Sequence, residues 1–386
     1  MTELKKLKSK AQTPPTERFQ WLDSVKGIAV IWIALYHCLL SYDSQSLPWP
    51  ITVAGFPDFV KQGGTVTAFG YIPSAIEGII TGIIQRGPQA VGVFILFSGF
   101  GLTYSLAKSG KVKIPWIPWY RRRIIRLFPV YWIAHLLFLV SPFAVLHNQI
   151  DYRFILSFLG DRIFPVDRMF FYLVPAWWFM GLLFQLYVVF PLLFKAMNAM
   201  GSLKYLVFCI LLSSAARYVL FGIVQADGDY VMGAFFLCRL WEFAAGMTLG
   251  KLIGEKPEDT LGILLSLRGL LAGAIVYALG LFTYQPNFLF SFSDGLTAMG
   301  LSAILIHLAY RLDKTPGLGK VLAGIGVYSY GIYLFHQPYV MYAGEKLRSN
   351  GLGVFLVGAF AVTALISLFS IFLEFAVNRA INLLRR

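Results

Sequence analysis

WLDSVKGIAVIWIALYHCLL, residues 21–40, decides the architecture of this chain. From Val25 to Leu40 it is apolar around its circumference, with Lys26 and His37 as the groups that do not fit. A helix apolar on every side is embedded in a core or a membrane. At about 100° and 1.5 Å per residue, the eleven residues from Lys26 to His37 make three turns plus roughly 20°. Both groups therefore share one face, about 16 Å apart, with the lysine at the rim of the apolar layer and the histidine deep inside it. Ionisable groups at membrane depth are costly and are retained mostly where they line a cavity or carry chemistry.

The rest of the chain has the same character. Its 386 residues are 58% hydrophobic and only 13% charged, with a mean hydropathy of +0.68. That composition excludes an ordinary soluble domain and predicts an all-α, polytopic membrane protein. Ten apolar windows suit helices crossing roughly 30 Å of hydrocarbon: 25–40, 90–107, 127–146, 177–194, 203–223, 234–253, 269–284, 291–310, 321–342 and 352–375. The stretch 68–84, with Pro73, Glu77 and three glycines, reads as interfacial or re-entrant. Ten spans with both termini in the cytoplasm leave about 24 of the 33 Lys and Arg on the inner side, in clusters at 5–10, 108–113, 121–126, 251–268, 311–320 and 379–386. The net charge of +14 is then topology and not a nucleic-acid surface.

Residues 1–20 are polar and basic without an apolar core or a cleavage site, so they read as a cytoplasmic tail ahead of a single membrane-embedded domain, 21–386. Cys38, Cys209 and Cys238 have no metal-like spacing and are expected only to pack. The glycines within spans, among them Gly92, Gly99, Gly101, Gly324, Gly326 and Gly331, read as close helix contacts. The two long connections, 41–89 and 147–176, lie outside in this topology, and the second mixes Asp151, Arg153, Asp161, Arg162, Asp167 and Arg168 with aromatics. It reads either as a solvated loop or as a carbohydrate-facing lip.

Three groups of residues have the chemistry for a site. Lys26 and His37 share their face, although each alone reads as a snorkelling anchor or a packing hydrogen bond. Arg121, Arg122, Arg123 and Arg126 open a helix on the inner side. Positive-inside anchoring explains such a cluster, yet guanidinium forks at that place also make a seat for the phosphates of a nucleotide-bearing donor. Arg239 and Glu242, three residues apart on one helix face, read as a mutual pair at membrane depth that either relieves its own desolvation or holds a donor. Gln185, Tyr187, Asp294, Ser329, Tyr330, Tyr333 and Glu374 are further polar groups inside spans. His336, just before Pro338, ranks as interfacial, and His135, His147 and His307 rank below it.

These residues fall into six blocks that resemble the integral membrane acyltransferase-3 family, which contains bacterial polysaccharide O-acetyltransferases. The blocks are Leu22 to Ala29 with His37; Phe97-Ser98-Gly99-Phe100; Arg121 to Tyr131; Trp178-Phe179 with Gln185-Leu186-Tyr187 and Phe190-Pro191; Arg239 to Phe243 with Gly246; and Ser329 to Pro338. The family's basic residue followed by ten positions and a histidine falls on Lys26 and His37. The resemblance implies transfer of an acyl group, by default acetyl, from cytosolic acyl-CoA to a hydroxyl of an extracytoplasmic polysaccharide or lipid-linked glycan, in the bacterial inner membrane. Acyl-CoA is then a co-substrate and no cofactor or metal is bound; the partners are the glycan acceptor, membrane lipid and the glycan synthesis or export machinery. The chain departs from the family in two places. Position 26 is more often Arg, and Leu183 stands where many members carry Glu.

On this reading the CoA phosphates dock on Arg121, Arg122, Arg123 and Arg126, and the thioester reaches about 16 Å up to His37. His37 acts as general base or as acyl acceptor, and Lys26 and Arg239 steady the donor or its oxyanion. Glu242, Gln185 and Tyr187 complete the expected substrate contacts. The competing class is a transporter or exporter of a glycan or small acid, with the same buried charges along its path.

Overall fold

The computed structural model describes residues 19–384 apart from 43–46, 48–49, 52–54, 63–71, 110–113, 142–149, 165–168, 227–232, 285–287 and 316. Among the described residues every regular element is helical. The helices are α1 (Gln20–Leu39), α2 (Phe56–Gln62), α3 (Ile72–Ile84), α4 (Ala90–Ser109), α5 (Trp116–Leu139), α6 (Arg153–Phe158), α7 (Trp178–Met200) and α8 (Ser202–Arg217). They continue with α9 (Leu240–Glu255), α10 (Pro257–Leu264), α11 (Leu267–Phe282), α12 (Phe290–Leu312), α13 (Leu318–Val327), α14 (Ser329–Leu347) and α15 (Leu352–Leu384). The basic tail and Lys5 to Lys10, together with Lys111, Lys113, His147, Asp167, Arg168 and Arg386, lie outside the described residues.

Six stretches are long and apolar enough to cross a membrane: Gln20–Leu39, Pro73–Lys108, Pro175–Met200, Ser202–Ile223, Phe290–Leu312 and Leu352–Leu383. Two bent pairs, α10 with α11 at 63° and α13 with α14 at 80°, bring the number to eight when each pair is one span. The other two expected spans fall short of that measure for visible reasons. Residues 127–139 belong to α5, whose first half carries four arginines. Residues 240–253 belong to α9, only 16 residues long and entered through a tight turn at Phe236–Arg239. The described part of the stretch expected at the interface, 72–84, forms α3 and continues through the turn Gly87–Gln89 into α4, within one apolar stretch of 36 residues, Pro73–Lys108.

α1 is the hub, in contact with α4, α12, α13, α14 and α15. Its closest approach is to α13, where Gly27 and Gly326 face each other: a methyl on Gly27 would run into the Leu322 carbonyl, and one on Gly326 into the Asp23 carbonyl. α4 and α9 meet in the same way through Gly99 and Gly246, so these glycines are close helix contacts. Gly101 and Gly324 are not, since a methyl on either would meet nothing within 4 Å. Cys38, Cys209 and Cys238 are buried and unbridged.

The connection after α5 is tied down from within. Arg162, only 1% exposed, donates to Ser157 Oγ and to the carbonyls of Phe170, Tyr172 and Val174 at 2.9–3.1 Å. One of its expected solvated charges is thus the post around which the segment folds. Arg153 and Asp151 form an ion pair at 2.7 Å, and the hydrogen bond from Arg153 holds the Asp151 carboxyl below the usual carboxylate range.

Candidate active site

The break between α13 and α14 determines how the site is built. Glu374 of α15 accepts the Gly331 N–H at 2.7 Å, and Tyr330 donates to the Leu127 carbonyl at 2.8 Å, so the first turn of α14 is pinned between α15 and α5. One and two turns further on, Tyr333 donates to the Ala176 carbonyl at 2.5 Å and Gln337 Oε1 accepts the Ala176 N–H at 2.7 Å. Between them His336, fully buried, comes against His37 of α1.

The hydrogen bonds of this histidine pair assign its protons. His336 Nδ1 lies 2.7 Å from the Tyr333 carbonyl and 3.1 Å from the Ile332 carbonyl, both of which only accept, so this nitrogen carries the hydrogen. Its Nε2 is therefore an acceptor, 3.0 Å from His37 Nδ1. His37 Nδ1 also lies 3.0 Å from the Ile33 carbonyl, so it too must be the protonated nitrogen, shared between Ile33 and His336. What is left on His37 is Nε2 with its lone pair. The sequence ranking of His336 as an interfacial residue is corrected here. It is buried because the helix break turns α14 alongside α1, although 299 residues separate the two histidines.

His37 lines a cavity of about 420 Å³ together with Tyr36, Gln89, Trp178, Arg239, Tyr284, Asp294, Tyr333 and Gln337. A second cavity, about 610 Å³, opens at the other end of the bundle and is lined by Lys26, Ser98, Arg122, Arg123, Arg126, Leu183, Tyr187, Tyr330, Tyr333, Asn378 and Asn382. Tyr333, one turn of α14 from His336, lines both.

The candidate residues are not all gathered into one place. Arg122, Arg123 and Arg126 line the basic cavity with Tyr187, and Arg123 lies over the Trp119 ring at 4.5 Å. Arg121 points away and is exposed, because on a helix it cannot share the face of Arg122 and Arg126. Lys26 also lines the basic cavity, in an ion pair with Asp23 at 2.6 Å. It shares a face with His37 but not a cavity: three turns of helix separate them. Gln185 lines neither cavity. Its amide donates to the Ala234 carbonyl at 2.7 Å and accepts from the Phe236 N–H at 3.2 Å, which fixes the entry to α9. Leu183 fills the place of a possible carboxylate with an apolar wall of the basic cavity.

Arg239 and Glu242 do pair, at 2.8 Å, but within a larger network. Arg239 also reaches Asp294 at 2.9 Å, and Asp294 takes Arg217 at 2.7 Å and the Tyr284 hydroxyl at 2.6 Å. Glu242 is buried and lines neither cavity, whereas Arg239 and Asp294 reach the His37 cavity. His135 and His307 are structural: His135 bonds Tyr131 and Ser157 at 2.9 Å, and His307 receives Arg311 at 3.4 Å. Asn378 and Asn382 were missed. Two amides four residues apart in the last turns of a mostly apolar helix were the signal, since that spacing puts them on one face.

A helical membrane protein with a buried histidine pair beside one cavity and a second cavity ringed by arginine is the class this geometry defines. The acyltransferase-3 family model, an acyltransferase domain, matches residues 19–377. The chain belongs to that family, and it is a multi-pass membrane acyltransferase. No match was found among curated proteins or among solved structures.

Proposed function

We propose that this acyltransferase takes its acyl group, acetyl by default, from cytosolic acyl-CoA and transfers it to a hydroxyl of an extracytoplasmic polysaccharide or lipid-linked glycan at the bacterial inner membrane. The observation that carries the reading is His37 Nε2, the bare nitrogen of a hydrogen-bonded pair, on a cavity that shares Tyr333 with the arginine-lined cavity. The basic end is the cytoplasmic one, in keeping with the inward bias of Lys and Arg, and ten spans with both termini inside remain the topology that goes with it. Arg122, Arg123 and Arg126 hold the CoA phosphates as forks. Tyr187, Asn378 and Asn382 stand along the arm, and Lys26, already paired with Asp23, acts as a point charge beside it.

The acceptor hydroxyl enters from the other side. Its oxygen attacks the thioester carbonyl while His37 Nε2 takes its proton; the tetrahedral oxyanion collapses, the C–S bond breaks, and the imidazolium returns the proton to the departing CoA sulfur. His336 accepts from His37 Nδ1 throughout and holds the ring in the tautomer the step needs. Acyl transfer through His37 itself uses the same lone pair. Arg239 is the cation nearest in kind to an oxyanion partner on this side.

The test is mass spectrometry of envelope glycans from cells carrying the wild-type chain, the His37→Ala variant or no chain, with membrane expression matched by blot. An acyl increment present with the wild type and lost in the other two supports the assignment. Glycans acylated alike in all three refute it, and flux of a glycan or acid without CoA release would favour the transporter class.

A further inference from the structure

The cavity of His37 has a lining that the reaction uses only in part. We propose that it is an acceptor subsite for one uncharged sugar ring, recognised by the side-chain amides of Gln89 and Gln337 and seated against Trp178. This assignment rests on the acyl-transfer reading and deepens it.

The amides supply the first argument. Gln337 Oε1 accepts from the Ala176 N–H at 2.7 Å, and Gln89 Oε1 from the hydroxyl of Tyr277. An amide whose oxygen already takes a donor from the fold keeps both of its N–H donors for whatever lies beside it. Both groups line the cavity, so the ligand they address is one rich in oxygen lone pairs: hydroxyl, ring and glycosidic oxygens.

Charge supplies the second. Among the described lining residues the permanent charges are Arg239 and Asp294, and these are paired with each other at 2.9 Å. Behind them Arg217 and Glu242 complete a set of two cations and two anions, joined at 2.7 Å and 2.8 Å. Among the described residues these charges are matched cation to anion, so an incoming carboxylate would bring an unmatched anion, and stripping water from one is costly. The lining therefore selects against uronic and sialic acids.

Shape supplies the third. Trp178 presents an aromatic wall, stacked on Phe170 with ring centroids 5.8 Å apart and planes at 14°. Gly233 leaves those rings their room, since a methyl there would stand 3.1 Å from Phe170 and 3.2 Å from Trp178. An aromatic face suits the C–H face of a pyranose as the amides suit its oxygens. At about 420 Å³ the cavity lies toward the small end of ligand sites, which fits a single ring rather than a run of polymer.

The experiment uses the full chain in lipid nanodiscs and reads binding apart from catalysis. Saturation-transfer difference NMR is recorded with methyl glucoside, methyl galactoside, methyl mannoside and methyl glucuronide, and acetyl-CoA binding and thiol release are measured in parallel. The variants are Trp178→Ala and the double variant Gln89→Glu with Gln337→Glu, in which the engaged oxygens are kept and only the donors are replaced. The expected result is saturation of at least one neutral glycoside by the wild type and at most a tenth of that for the glucuronide. Both variants lose the glycoside signal and retain acetyl-CoA binding within twofold. The subsite is overturned if no neutral glycoside binds, if the glucuronide binds as well as the neutral ones, or if the signal survives in both variants. Glycoside binding that meets these conditions without acyl transfer or thiol release would sink the acyl-transfer reading and leave the sugar site standing.

Discussion

His37 can take a proton only while its Nε2 is bare, and that depends on a carbonyl and on His336. Replacing His37 by alanine is expected to lower transfer by about 10²–10⁴-fold, the usual worth of a positioned general base, measured as CoA thiol release in proteoliposomes. His336→Phe removes the acceptor that fixes the tautomer without touching the reacting atoms. It should lower kcat by about 10²-fold, displace the pH–rate profile and leave the acyl-CoA KM unchanged; a normal profile would reduce the histidine contact to packing. The arginines divide in the same way. Arg123→Gln should raise the acyl-CoA KM by roughly tenfold, the loss of one charge-assisted contact, whereas Arg121→Gln, which stands off the cavity, should leave it within twofold. His37 was legible in the sequence because an ionisable group in an apolar helix is conspicuous by itself. Lys26 was legible for the same reason, but a shared helix face does not report which cavity each group lines, and the two stand on different ones. His336 and Arg121 were misjudged because their surroundings depend on helix orientation, which neither hydropathy nor spacing records.

At the scale of elements, the spans were legible wherever an apolar window ran the length of a helix, as in α1, α7, α8, α12 and α15. The elements that make the site are the ones that break that rule: α5 with its arginines, α9 shortened to 16 residues and the 80° turn between α13 and α14. Local composition reports such departures only as a weakened signal. The Arg217, Arg239, Glu242 and Asp294 network joins α8, α9 and α12, so the sequence pair Arg239 and Glu242 was a fragment of it. Asp294→Asn leaves two buried guanidinium groups short of an anion, and removal of one partner from such a set typically costs about 3–5 kcal/mol. A marked fall in the thermal midpoint in detergent, absent for the isosteric change at surface Asp259, is the expected outcome. The α4–α9 contact gives a second reading of element packing. Gly246→Ala drives a methyl into the Leu96 carbonyl and should lower the midpoint by an overpacking cost of about 1–3 kcal/mol, while Gly324→Ala meets nothing and should leave it unchanged.

For the molecule as a whole, the reading requires its two cavities to open on opposite sides of the membrane. The ends of the bundle can be told apart because α14 runs from Ser329, at the basic cavity, past His336 to Leu347, and Ser349 just beyond it is exposed at the far end. Arg121 is exposed at the near end. The native cysteines are all buried, so a cysteine introduced at either place reports its own side. In sealed right-side-out vesicles an impermeant maleimide should label Ser349→Cys and spare Arg121→Cys until the membrane is opened. Inverted vesicles should reverse the pattern. On the proposed reading a buried base between two aqueous mouths would let an acyl group leave a cytosolic thioester and reach a hydroxyl that never enters the cytoplasm: neither substrate would cross, and only the acyl group would pass the plane of His37. Labelling of both cysteines from one side would place both cavities in the same compartment. The donor and acceptor would then have to share it, and the two-sided transfer proposed for this chain would fall.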